Sequence, residues 1–191
     1  MVHKRNQKLY GVVFTGLMAA MVFVATMFLK IEIPTPTGPT MLKVGNIVCL
    51  LGGMLFGGVY GGLAAGIGSA LYDLTNPVFA PEAWITLIRF FMTGFLTGVI
   101  AHGFGKKGAD MKMNLLAATC GSLFNWLFYV VKSVGVLMVA GSAFYPALIG
   151  SSVKMATSGI NAVIAVVCAM LLIKPLNLAL RRAGMLEKIG K

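Results

Sequence analysis

The sequence predicts an all-α integral membrane protein of six transmembrane helices with the N and C termini cytoplasmic, and three observations carry that prediction. Only 11% of the 191 residues are charged and 58% are hydrophobic. A soluble domain carries about 25% charged residues, so this chain has too little charge to cover a water-facing surface. The apolar residues fall in long runs, and a helix needs about 20 of them to cross a bilayer. The lysines and arginines are spread unevenly over the loops between those runs, which is what orients membrane helices. The length therefore counts bilayer crossings: a single membrane domain, 1–191, with no room for a soluble catalytic domain.

The first span, 10–29, follows the basic start His3, Lys4, Arg5, Lys8. It is too long for the roughly 7–15-residue core of a secretory signal, and no small-residue cleavage site follows it, so it reads as a retained helix. Residues 31–40, IEIPTPTGPT, hold three prolines and a glycine and read as an ordered loop. An uncharged stretch then runs from 44 to 72, too long for one untilted span and short for two. The pairs Gly57-Gly58 and Gly61-Gly62 near its middle predict a tight reversal, giving short spans 43–57 and 59–73.

Charge decides between one span and a hairpin there. With the hairpin, Lys4, Arg5, Lys8, Lys106, Lys107, Lys112, Lys174, Arg181, Arg182, Lys188 and Lys191 all fall on the inner side, with Asp110 and Glu187 the only acids. The outer side keeps Lys30, Lys43, Arg89, Lys132 and Lys154, with Glu32, Asp73 and Glu82. That asymmetry is the positive-inside pattern. The remaining spans are 84–104, 114–139 and 146–173. Trp84 and Tyr145 stand at outer ends, the headgroup level that amphipathic rings prefer. The last two runs exceed the bilayer thickness, so tilting or outward projection is expected, and the basic tail 174–191 belongs at the inner surface.

A charged group inside a bilayer costs about 2.5–3.5 kcal/mol on insertion scales and defaults to a functional reading. Lys43, Arg89, Lys132 and Lys154 stand in or near the outer halves of spans; the alternative for each is to snorkel to the headgroups. Spacing adds to the functional reading. Asn125 and Lys132 are seven apart, and Lys154, Ser158 and Asn161 lie at i, i+4 and i+7, so each set shares one helix face. Together with Arg89, these faces predict an outward-open polar cavity, with Asp73 at the end of the third span as a counter-charge. For Asn125 and Asn161 the alternative is interhelical hydrogen bonding without a ligand. On the first helix Gly16, Ala19 and Ala20 make a small-residue face suited to a partner helix, Gly16 and Ala20 as a small-xxx-small pair.

Several function classes are disfavoured. The net charge of +11 is divided among small groups between apolar runs, not gathered on one exposed face as nucleic-acid binding needs. Cys49, Cys120 and Cys168 lie in apolar runs without metal-ligand spacing and read as inert thiols. There is no GxSxG, HExxH or phosphate-binding loop, and His102 has no nucleophile or metal partner at useful spacing. The sequence therefore calls for no enzyme, no metal and no cofactor, and nothing in it binds ATP.

The order of features is similar to a known family. A basic start and small-residue first helix lead into IPTPTGPTMLKVGN, then LLGGMLFGGVYGGLAAGIGSALYDL, and later RFFMTGFLTGVIAHGFGKKG. This resembles the substrate-binding (S) components of energy-coupling factor (ECF) vitamin importers, in the riboflavin-type branch, over nearly the whole chain and most closely from 33 to 107. The resemblance implies six helices with both ends inside and an outer pocket built from the first outer loop and the outer ends of helices four to six. On that reading Lys43, Asn46, Asp73, Arg89, Asn125, Lys132, Lys154 and Asn161 bind a vitamin-class small molecule. Energy would come from a separate transmembrane coupling subunit and two cytoplasmic ATPases, the former touching Gly16, Ala19 and Ala20, in the plasma membrane of a prokaryote. Relatives often read Gly-Tyr-Ile-His-Leu-Gly-Asp after the Pro/Thr loop, whereas this chain has Lys43 and Asn46 there. The more cationic pocket leans towards a ligand with a carboxylate or phosphate. The competing reading is a stand-alone secondary carrier, which needs a coupling-ion site and repeated halves; Asp73 is the sole acid near the membrane interior and no repeat is visible.

Overall fold

The computed structural model describes residues 2–105 and 108–185. Lys106, Lys107, Glu187, Lys188 and Lys191, counted above on the inner side, lie outside the described residues. Among the described residues six α-helices form the bundle: α1 (Val2–Phe28), α2 (Gly45–Phe56), α3 (Gly58–Thr75), α4 (Ala83–His102), α5 (Met111–Val139) and α6 (Phe144–Arg182). Leu9–Phe28, Ala80–His102, Met111–Val139 and Phe144–Arg182 are long and apolar enough to cross a membrane. Their outward faces are lined by exposed Leu17, Val24, Leu123, Val163 and Leu171, the pattern of helices bathed in lipid.

The short helix α2 has a different role. Its 12 residues rise only about 18 Å, less than the roughly 30 Å of a hydrocarbon core. Every residue of it except Val48 is buried, which is what an all-round apolar helix requires. It packs against α1, α3, α4 and α6, and Leu50, Leu51, Met54 and Phe56 join Met18, Ala117, Ala169 and Ile173 in the core. α2 is thus the central post of the bundle.

The reversal expected over residues 57–62 is made by Gly57 alone. Its φ of +77° is a conformation that residues with a Cβ rarely adopt. Gly61 and Gly62 are already inside α3 and serve packing instead. A Cβ on Gly61 would stand 2.5 Å from the Gly53 Cα, and one on Gly62 2.8 Å from the Phe91 carbonyl oxygen. These glycines let three backbones approach more closely than any side chain permits.

The ordered loop expected over the Pro/Thr segment takes the form of a small hairpin beside the helices: β1 (Lys30–Ile33) and β2 (Thr40–Lys43) pair antiparallel, with Lys30 opposite Lys43 and Ile33 opposite Thr40. Pro34, Pro36 and Pro39 are confined to its tip, where their missing N–H groups break no ladder bond. Lys43, expected as the start of the second span, therefore ends a strand, and α2 begins at Gly45. The last helix also does not stop at 173; it runs through Pro175 to Arg182.

At the end of the bundle away from the hairpin, hydrogen bonds fasten the α4–α5 connection. His102 Nε2 and the Met54 carbonyl lie 2.9 Å apart, and the amides of Asn114 and Asn177 both donate to the Gly108 carbonyl, at 2.9 and 3.1 Å. The opposite end holds a cavity.

Candidate functional site

Lys43, Asn46, Asp73, Arg89, Asn125, Lys132, Lys154 and Asn161 all line one cavity of about 170 Å³. They come from six different places in the fold: β2, then α2, α3, α4, α5 and α6 in turn. The tip of the hairpin, Thr37–Thr40, forms its roof.

The roof is fastened from below. Lys154 donates from Nζ to the Thr37 carbonyl oxygen at 2.6 Å, and the Thr37 hydroxyl donates to the Gly150 carbonyl at 3.1 Å. Thr40 and Tyr129 bring their hydroxyls to 3.3 Å. Within the tip, Thr35 Oγ1 donates to the Gly38 carbonyl at 2.5 Å, and Gly38 takes a φ of +101° to make the bend. The Lys43 backbone N–H reaches Asn161 Oδ1 at 3.4 Å. At the base of the hairpin, Lys30 bridges Glu32 and the Tyr72 hydroxyl, both at 2.5 Å, so this outer lysine braces β1 against α3 and does not line the cavity.

Inside, four basic side chains face two carboxylates. Lys132 donates to Glu82, closing the gap between α5 and the turn before α4. Lys43 Nζ and the Arg89 guanidinium both stand 4.6 Å from the centre of the Phe90 ring, and Arg89 also lies 5.0 Å from that of Tyr129. Ring faces are negative, so they hold cations where water is scarce. Buried Asp73 is within electrostatic reach of both Lys43 and Arg89. The cavity keeps a surplus of two positive charges, arranged around an apolar patch of Phe79, Ile85 and Phe90.

Three buried polar atoms on this wall have no hydrogen-bond partner among the described residues: Asn46 Oδ1, Arg89 Nε and Asn125 Oδ1. Buried polar groups are nearly always paired in folded proteins. Three unpaired atoms from three helices, all on residues that line one cavity, are what a site for a polar small molecule presents.

Sequence reasoning passed over Thr86, Phe90, Tyr129 and the roof threonines. Tyr129 lies four residues after Asn125 and Thr86 three before Arg89, so helical spacing was the signal available for both. Of the small-residue face on α1, Gly16 and Ala20 are exposed, with nothing within 4 Å of a Cβ placed on Gly16. Ala19 turns inward and packs over Gly68 of α3.

Comparison with known proteins agrees with this architecture. A protein of Pyrococcus woesei described as an "Uncharacterized protein in gap 3'region" is 36% identical over 109 residues, covering 57% of this chain and 68% of the relative. A "UPF0397 protein" of Lactiplantibacillus plantarum is 29% identical over 140 residues, 73% of this chain and 70% of the relative. The family described as "ECF-type riboflavin transporter, S component" matches residues 6–178. With a match over that span, the chain belongs to the family of S components of ECF-type riboflavin transporters, membrane subunits that bind substrate for a transporter.

Proposed function

We propose that this chain is the high-affinity solute-capturing subunit of an ECF-type importer in a prokaryotic plasma membrane. It binds a vitamin or vitamin-like molecule on the outer side and is energised by a separate transmembrane coupling subunit and two cytoplasmic ATPases. The observation that carries this reading is the convergence of polar side chains from five helices and one strand on a single cavity under a fastened roof. Such a site, apolar in part with a few placed polar groups, is what small-molecule capture needs. The chain itself contributes no nucleotide-binding motif, so the work of release falls to other subunits.

In this reading all six helices cross or enter the bilayer, with both ends cytoplasmic. The hairpin and cavity then face outward, and the Gly57 turn faces inward. The positive-inside distribution supports that orientation. So does the burial of α2, which lets a helix too short to span alone sit within the bundle. The exposed pair Gly16 and Ala20 supplies the face for the coupling subunit.

The test is reconstitution in liposomes. The chain purified with a coupling subunit and ATPases is expected to accumulate the solute that co-purifies with it, identified by mass spectrometry, only when ATP is supplied. Uptake by the chain alone, driven by an ion gradient, would instead assign it to the stand-alone carriers.

A further inference from the structure

Resting on the reading of this cavity as the solute site, we infer that the solute is a compact, one-ring acid that also presents hydrogen-bond donors, rather than a multi-ring vitamin. Three independent features of the cavity lead there.

The first is size. A volume of about 170 Å³ is close to that of an engineered cavity of about 150 Å³ that takes up one benzene ring. One substituted six-membered ring fills it. A three-ring flavin with its polyol tail is far larger, and the roof cannot lift to admit one without breaking the bonds from Lys154 to Thr37, Thr37 to Gly150 and Thr40 to Tyr129.

The second is charge. Lys132 is engaged by Glu82 and Lys154 by the Thr37 carbonyl. Lys43 and Arg89 remain, flanking Phe90, with Asp73 on the same cavity wall. The buried Arg89 Nε makes no hydrogen bond among the described residues. A carboxylate fits a guanidinium edge with paired, charge-assisted bonds and offsets the positive surplus.

The third is the unmatched acceptors. Asn46 and Asn125 are each 7% exposed, and the Oδ1 of each has no donor among the described residues. A carboxylate cannot satisfy an acceptor; an N–H or O–H group can. A site with buried acceptors rejects ligands that lack the matching donor. The ligand therefore carries its acid on the Arg89 side and donors on the side facing Asn46 and Asn125.

Calorimetric titration of the purified full chain with four probes tests this. Orotate has one ring, N–H donors and a carboxylate. Uracil keeps the ring and donors without the acid, benzoate keeps ring and acid without the donors, and riboflavin is the multi-ring case. Orotate is expected to bind at least about tenfold tighter than uracil or benzoate, with riboflavin weakest. In Arg89→Gln the preference for orotate over uracil disappears; in Asn125→Leu the preference over benzoate disappears. Thermal unfolding verifies that each variant is folded. If Asn125→Leu is not, Asn125→Asp, which keeps the shape, is expected to weaken both acids while sparing uracil. Uracil binding as tightly as orotate overturns the acid, and benzoate doing so overturns the donor edge. Riboflavin binding tightest, and losing affinity in Arg89→Gln, overturns this inference while supporting the cavity as the solute site. No binding by any probe, or binding indifferent to all the variants, overturns the inference and the site together.

Discussion

Lys154 on α6 and Thr37 at the hairpin tip, 117 residues apart in sequence, are joined by one hydrogen bond of 2.6 Å from ammonium to carbonyl. That bond makes the lysine a fastener of the roof as well as part of the cavity wall. Lys154→Met keeps the aliphatic stem and removes the donor. Such a bond contributes about 1 kcal/mol in a half-buried setting, or roughly fivefold in rate. The variant is expected to release bound solute about fivefold faster, and amide exchange at residues 35–43 is expected to rise. Unchanged dissociation and exchange would return Lys154 to the cavity wall alone.

The ion pair of Lys132 with Glu82 links α5 to the turn entering α4. Both side chains keep partial access to solvent, at 18% and 35%, so the pair is worth far less than a dry one. A double-mutant cycle of Lys132→Met and Glu82→Gln on denaturant stability is expected to give a coupling of about 0.5–1 kcal/mol. It should shrink as salt is raised. Zero coupling at low salt would show that the two groups do not meet.

Glycines on this protein divide into those that pack and those that face outward. Gly61→Leu drives a side chain into the Gly53 backbone, where a Cβ already stands 2.5 Å from Cα; loss of folded, monodisperse protein is expected. Gly16→Leu and Ala20→Leu point away from the bundle. These are expected to keep solute binding in the isolated chain and to lose ATP-driven uptake with the coupling subunit. A parallel fall in both would assign this face to internal packing.

Orientation in the membrane is testable with single cysteines in a Cys-free background. Gly108 is a poor site: its φ is +70° and a Cβ there would run into the Met54 carbonyl. Ala109 and Pro77 are both exposed. An impermeant thiol reagent applied to intact cells is expected to label Pro77→Cys and to spare Ala109→Cys. The opposite pattern would invert the arrangement.

The sequence by itself determined what depends on single segments. Apolar run length marked the long helices, the scarcity and sidedness of charge marked the membrane, and helical spacing placed Asn125 with Lys132 and Lys154 with Asn161. These are local quantities, because a helix's period and a segment's transfer cost are set by its own residues. Where a segment met another, tertiary structure decided. Gly57 alone makes the turn because Gly61 and Gly62 are needed where α3 touches α2 and α4. Lys43 ends a strand because Lys30 stands opposite it across the hairpin. Ala19 and Ala20 adjoin in sequence, yet one is buried over Gly68 and the other exposed, a difference of one step around α1 fixed by where α3 lies. That Glu82 takes Lys132, that Thr37 takes Lys154, and that Arg89 Nε has no partner among the described residues likewise follow from distances between residues tens of positions apart. Spacing along one helix carries no information about them, because they exist only once the helices have packed.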